Sequence, residues 1–361
     1  MSLLFVNMIS KKIKINKINF LNRIIISPMC QYSANNGCPT NWHYKHLSSF
    51  LSSGAGGVII ESTAVNKTGK ITHKDLAIYN KQQIKELKKL IIFLKKINNE
   101  LPIGIQISHS GRKGSANVPW IRNGSYLGKK QKPWKTLSSS AIKRSAKWPV
   151  PKEMNINDIK KLIIDFKKAA IAANACNIDV LEVHMAHGYL LHQFMSPISN
   201  QRKDKYGGKL ENRCRILIEI AETIRGVWPK NKCLGARVTG TDHLKNGLNY
   251  KDCSYLIKKL EKIGFDYACI SSGGILPKTN IKFKMGFRMK ISKKIKEHTK
   301  MKIRTSGMLN NLDLINRGIE NKSFDFVAIG RPFLKNPRWA YQILNKKTNK
   351  KIIPLQYQRA Y

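Results

Sequence analysis

From Val183 to Gly208 the chain reads VHMAHGYLLHQFMSPISNQRKDKYGG, placing His184, His187 and Tyr189 within six residues of one another. Two imidazoles and a phenol where an apolar strand ends allow three uses. They can bind a metal, they can pack, or they can handle protons. A neutral imidazole N–H can donate to an oxygen that is gaining charge, and a phenol can deliver a proton. A His-x-x-His pair can also hold zinc, but zinc needs a third ligand and an open position. His192 is the nearest candidate and lies in the helical pattern beyond. The expectation is that no metal is held.

These residues need a scaffold. Short apolar segments suggest strands at 24–29, 57–62, 103–109, 180–186, 234–239, 267–273, 302–307 and 326–331. Helical periodicity fills the gaps at 82–97, 157–175, 211–227 and 250–263. Asn157 is a candidate N-cap. Cys214, Leu217, Ile218, Ala221 and Ile224 keep the spacing of one buried helix face. Eight strands, each followed by a helix, predict an α/β fold of the (β/α)8 TIM-barrel type, with an N-terminal hairpin and a long loop insertion after the third strand. The chain 1–361 is expected to form one domain. A doubly wound nucleotide-binding sheet is disfavoured, because no G-x-G-x-x-G follows the first strand.

Several strands carry polar residues where a barrel interior is otherwise apolar. Side chains alternate along a strand. By that rule Glu182, His184, Gln106, Arg237 and Glu61 all point toward the axis, near the strand ends that carry barrel active sites. The seventh and eighth strands end in TSGML and IGRPF. Gly307, Gly330 and Arg331 there suit a phosphate, through close backbone approach and a guanidinium. Residues 111–156 form a connection with Trp120, Trp134 and Trp148, many Lys and Arg, and no acid before Glu153. A loop of that length reads as a lid.

Composition sets outer limits. The 361 residues are 42% hydrophobic, enough for a full core. No apolar run reaches the roughly 18 residues of a membrane span, and the N-terminal residues do not read as a secretory signal. Seven cysteines without a C-x-x-C pair argue against a disulfide framework or a clustered iron–sulfur site, and for a cytoplasmic protein. The net charge of +45, from 66 basic and 21 acidic residues, would attract nucleic acid or anionic membranes. The Lys-, Ile- and Asn-rich stretches are dispersed, however, as AT-rich codon drift would leave them. Neither nucleic acid nor membrane is therefore expected as a partner.

The segments SPMCQYS (27–33), GVIIESTAVNKTGK (57–70), IGIQISHSGRK (103–113), HMAHGYLLHQFMSPISNQRKDKYGGKLENR (184–213) and AIGRPFLKNP (328–337) resemble, in order and along nearly the whole chain, the old yellow enzyme family of FMN-dependent ene-reductases. PMCQY and the C-terminal QYQRAY look like its thermophilic-type bacterial class. The resemblance implies non-covalent FMN across the barrel mouth and NADPH or NADH as hydride donor. Pro28, Met29, Cys30 and Ala64 would border the flavin. Gln106 would bond its pyrimidine edge and Arg237 would sit near N1 and O2, while Ser306, Gly307, Gly330 and Arg331 would hold the phosphate. His184 and His187 would bind a substrate carbonyl, Tyr189 would protonate carbon, Cys30 would tune the flavin, and Tyr32 would line the pocket. Arg359 would reach a neighbouring subunit of a homodimer or homotetramer. The implied reaction is reduction of an activated C=C bond in a small electrophilic alkene. The family usually reads PSA where this chain has SSA at 139–141. A second FMN barrel, the tRNA dihydrouridine synthases, shares the N-x-G-C-P string found in NNGCPT (35–40), but there it follows a later strand. Dienoyl-CoA reductases need a cysteine cluster that is missing here.

Overall fold

The computed structural model describes residues 8–344 and 353–360. A hairpin of β1 (Ile13–Ile15) and β2 (Ile18–Phe20) precedes the barrel. Strands β3 (Ile24–Ile26), β4 (Gly57–Ala64) and β5 (Ile103–Ser108) follow. Two short strands of the long connection, β6 (Leu137–Ser138) and β7 (Lys152–Glu153), pair with each other. The remaining strands are β8 (Val180–Met185), β9 (Cys233–Thr239), β10 (Tyr267–Ser271), β11 (Lys302–Thr305) and β12 (Phe326–Ile329). β3, β4, β5, β8, β9, β10, β11 and β12 close into one barrel, with β12 pairing back onto β3 in parallel.

The helices are α1 (Asn41–Leu51), α2 (Lys81–Ile97), α3 (Ile156–Ala175), α4 (Leu190–Met195), α5 (Leu210–Arg225), α6 (Tyr250–Ile263), α7 (Met289–Lys296), α8 (Leu312–Glu320), α9 (Arg331–Lys335) and α10 (Trp339–Leu344). They pack their apolar faces on the outward side chains of the strands, and this layer holds most of the core. The hairpin plugs the opposite end. Ile13, Ile15 and Phe20 join Ile25, Ile59, Val180, Cys233 and Phe326 in a separate interior cluster. Phe20 lies against Gly57, so closely that a Cβ there would stand 3.0 Å from the ring. Among the described residues no helix is long and apolar enough to cross a membrane.

Two local expectations are corrected. Asn155, not Asn157, caps α3. Its side chain accepts from the Asp158 N–H at 2.8 Å, and Asp158 accepts from the Asn155 N–H at 3.1 Å. That reciprocal box has the N-cap-to-N3 spacing, worth about 1 kcal/mol, and it starts the helix earlier. On α5, Cys214, Leu217, Ala221 and Ile224 are buried, joined by Ile216 and Ile220, but Ile218 is only half-buried. The buried stripe is widened and turned because α5 packs against α3, α4 and α6 together.

Candidate active site

The floor of the mouth is a closed polar network. Gln106 on β5 stands in register with Glu182 on β8 and donates from Nε2 to its Oε1 at 2.7 Å. The Tyr267 hydroxyl on β10 donates to Oε2 at 2.8 Å, and the Arg304 guanidinium on β11 pairs with the same oxygen. Tyr267 reaches across because Gly235 faces it; a Cβ there would stand 2.2 Å from the ring. With its amide nitrogen committed to Glu182, the Gln106 carbonyl oxygen is left without a partner among the described residues.

Above the floor, His184 is in register with Arg237 of β9. His184 Nδ1 accepts from the Ala186 N–H at 3.1 Å, so its proton sits on Nε2. That Nε2 lies 3.1 Å from His187 Nδ1, which leaves His187 with its own N–H on Nε2, 2.5 Å from the Ser271 hydroxyl. The imidazoles thus form a chain rather than two free donors. Burial pushes both well below the ordinary histidine range, and the charge of Arg237 adds to this for each. Both are therefore neutral. The Tyr189 ring meets His184 edge-on at 4.8 Å. Burial, reinforced by Cys30 and Asp75, pushes its phenol upward, so it keeps its proton.

Sequence reasoning missed several members. Lys113 was matched in the motif but given no role. It donates to the His187 carbonyl at 2.7 Å and lies 5.0 Å over the Tyr189 ring. Burial, with Arg144 and Arg112 nearby, lowers it to about 7. Arg288 donates to Ser272 Oγ at 2.9 Å and to Ser306 Oγ at 3.1 Å. It stands in a segment that carries no strand or motif signal. Ser271 was hidden among ordinary strand residues.

The loop after β3 brings Pro28, Met29 and Cys30 to the rim, all half-buried. Cys30 and Tyr32 pack with Tyr189, Trp148, Tyr126, Ile71 and Ala116. Burial, then Glu61 and Asp75, raise the Cys30 thiol well above its ordinary value. Ala64, at the end of β4, is buried. Glu61 does not point into the barrel as alternation predicted. The β4–β5 register shifts between Ile60 and Ser62, and this bulge turns Glu61 toward the β3 loop and α1. There it accepts from the Gln31 N–H at 3.1 Å and lies 3.9 Å from His43 Nε2.

On the far rim, Gly307 follows Ser306 at φ 129°, a conformation open mainly to glycine. A Cβ on Gly330 would crowd Met29 Sδ at 3.2 Å. Arg331 begins α9 and is exposed. The connection 111–156 is stitched down rather than loose. Arg112 donates to the Ile142 carbonyl at 3.1 Å and to the Ile275 carbonyl at 2.9 Å, and Ser139 Oγ to the Gln193 carbonyl at 2.8 Å. Trp120 meets the Tyr32 ring at 5.8 Å. Asn35 and Cys38 of the N-x-G-C-P string bridge in a tight turn before α1. His192 faces Asp242, and Arg359 is exposed in a short turn at 355–360. Among the described residues no three His, Cys, Asp or Glu gather as a metal site would require.

A closed parallel barrel with neutral imidazoles, a protonated phenol and a guanidinium at its carboxyl-end mouth belongs to the class of cofactor-binding (β/α)8 enzymes. Residues 9–350 match the model of the NADH:flavin oxidoreductase / NADH oxidase family. The chain is 38% identical over 343 residues to NADH:flavin oxidoreductase FG08077 of Gibberella zeae, covering 90% of this chain and 82% of that one. It is 34% identical over 342 residues to an NADPH dehydrogenase of Clostridium acetobutylicum, covering 94% and 95%. The solved structure of a 2-naphthoyl-CoA reductase in complex with 2-naphthoyl-CoA superposes with a TM-score of 0.84 at 22% identity, over 97% of this chain and 54% of that one. The chain belongs to the old yellow enzyme family and is an NAD(P)H-dependent flavin oxidoreductase.

The residues present fit FMN. Arg237 Nε is buried without a hydrogen-bond partner, as a group awaiting an acceptor would be. The Gln106 carbonyl oxygen has no partner among the described residues, and Arg288 joins Ser306 beside the Gly307 turn.

Proposed function

We propose that the protein reduces the C=C bond of α,β-unsaturated carbonyl compounds. The observation carrying this reading is the neutral His184–His187 pair beside a protonated Tyr189. Neutral imidazoles offer N–H groups without charge, suited to an oxygen that becomes anionic only during reaction. A single such donor is worth about 3 kcal/mol at the transition state. A carbonyl oxygen entering the site takes over the His184 N–H now spent on His187, while Ser271 releases the N–H of His187. Tyr189, kept protonated by burial, then delivers its proton to the carbon next to that carbonyl. Bound FMN, reduced by NADPH or NADH, supplies the hydride for the other carbon.

Pro28, Met29, Cys30 and Ala64 would border the flavin, Gln106 would accept from its ring N–H, and Arg237 would face the edge where negative charge gathers. Ser306, Gly307, Gly330 and Arg331 would hold its phosphate, with Arg288 supplying a second guanidinium. Tyr32 and the 111–156 segment would wall the substrate pocket and exclude water as a lid over a single domain. Arg359 would serve a neighbouring pocket in a homodimer or homotetramer. The side chain of Leu355, 79% exposed, gives that C-terminal turn apolar surface to bury. The seven unpaired thiols suit a reducing cytoplasm.

The test is anaerobic. Protein loaded with FMN is bleached with NADPH and then mixed with 2-cyclohexenone. The yellow absorbance should return as the enone is consumed. Failure to retain a chromophore overturns the flavin assignment for these residues, and bleaching without reoxidation overturns the substrate assignment.

A further inference from the structure

The turn that carries the proton-handling residues has a hidden support. His187 and Gly188 both lie at positive φ, 58° and 70°. Left-handed backbone at a non-glycine residue persists only where its surroundings hold it. Gly188 is wedged so tightly that a Cβ would stand 2.0 Å from the Gly274 carbonyl oxygen. Each amide of the turn has a fixed acceptor. The His187 N–H donates to Thr239 Oγ1 at 3.3 Å, the Gly188 N–H to His192 Nδ1 at 2.7 Å, and the Tyr189 N–H to the Ala186 carbonyl at 3.1 Å. Thr239 Oγ1 in turn lies 3.4 Å from His192 Nδ1.

His192 Nδ1 therefore has to be an unprotonated acceptor. Its other nitrogen, Nε2, lies 2.9 Å from Asp242 Oδ1, with both side chains fully buried and neither atom offered any other partner among the described residues. Asp242 Oδ2 is occupied by the Ser196 hydroxyl at 2.7 Å and the Leu248 N–H at 2.9 Å. A carboxylate accepts only, so its free oxygen demands the proton on Nε2.

We propose that Asp242 and His192 form a tautomer clamp: Asp242 holds the His192 proton on Nε2, and the Nδ1 lone pair this leaves fixes the Gly188 amide and so positions His187 and Tyr189. Both are positioning residues and neither reaches the mouth. The kinetic consequence rests on the ene-reductase reading above; the tautomer does not.

Two measurements separate them. Nitrogen-15 NMR of histidine-labelled protein should show His192 as the neutral Nε2–H form. A protonated Nδ1 would overturn the clamp whatever reaction the enzyme performs. Side-chain geometry then splits the two bonds. In His192→Asn the Oδ1 atom takes the place of Nδ1 and keeps the acceptor for Gly188. In His192→Gln the Nε2 atom keeps the donor for Asp242 but loses that acceptor. The clamp predicts that the Asn variant keeps kcat for enone reduction near the parent, while the Gln variant loses about tenfold or more through misplacement of Tyr189. Asp242→Asn should resemble the Gln variant. However its amide turns, an N–H faces either His192 Nε2, forcing the other tautomer, or the Leu248 N–H. Space filling alone predicts the reverse order, since Gln is nearer to His in volume; a Gln variant more active than the Asn variant would refute the proposal. If the parent reduces no enone, the NMR result still decides.

Discussion

Replacing Glu182 with glutamine should be among the most damaging isosteric changes in this protein. Glu182 is fully buried and Arg304 is 1% exposed, so neither charge has water in reserve. The carboxylate accepts from Gln106 at 2.7 Å and from Tyr267 at 2.8 Å, besides pairing with Arg304. The glutamine keeps the shape but removes the charge and turns an N–H₂ toward one of three donors. Breaking a buried pair from one side costs about 3–5 kcal/mol, because the remaining charge is left uncompensated. The faces of Tyr267 and Phe326, 4.9 and 5.7 Å from the Arg304 guanidinium, recover little of that. Urea unfolding of the parent, Glu182→Gln, Arg304→Met and the double variant Glu182→Gln/Arg304→Met measures this directly. The double variant should cost clearly less than the two one-sided losses combined, since the charges leave together. Glu182→Gln should also weaken FMN binding, because the Gln106 amide loses the partner that orients it. A loss under about 1 kcal/mol for Glu182→Gln would show that the floor is not held by this charge.

Other consequences follow from buried titrating groups. Lys113, lowered to about 7 against an ordinary value of 10.5, binds fewer protons folded than unfolded between those values. Stability contributed at this site therefore rises with pH from about 7 to 10.5, and Lys113→Met should flatten that slope in denaturation curves. His184 and His187, both pushed down by burial and Arg237, act in the same sense at lower pH. Their resonances should stay neutral through the ordinary histidine midpoint, and stability should fall as pH drops below about 6.5, where the unfolded imidazoles charge first. Cys30, raised by burial and by Glu61 and Asp75, should react with iodoacetamide at pH 8 more slowly than an unhindered thiol despite its partial exposure. Mass spectrometry gives the rate, and labelling at the ordinary pace would contradict that environment.

The barrel was legible because its period is strong. Each apolar strand was found within a few residues of its bounds, and alternation placed Gln106, Glu182, His184 and Arg237 in the interior. Alternation failed at Glu61, where one extra residue in β4 reverses the facing and leaves no trace in composition. The cap of α3 was misplaced by two residues because Asn155 and Asn157 look alike until Asp158 selects one. Lys113, Ser271 and Arg288 escaped a role because each joins the site only through contacts made far away in sequence. His192 was weighed only as a third metal ligand and set aside, while its partner Asp242 lies beyond a whole helix and strand.

The central claim is that Tyr189 supplies a proton that only the second half of the reaction needs. It is tested by Tyr189→Phe in stopped-flow measurements of both half-reactions. Bleaching by NADPH should keep its rate, and reoxidation by 2-cyclohexenone should slow by about 10²-fold or more. Equal slowing of the two steps, or none in reoxidation, would contradict it.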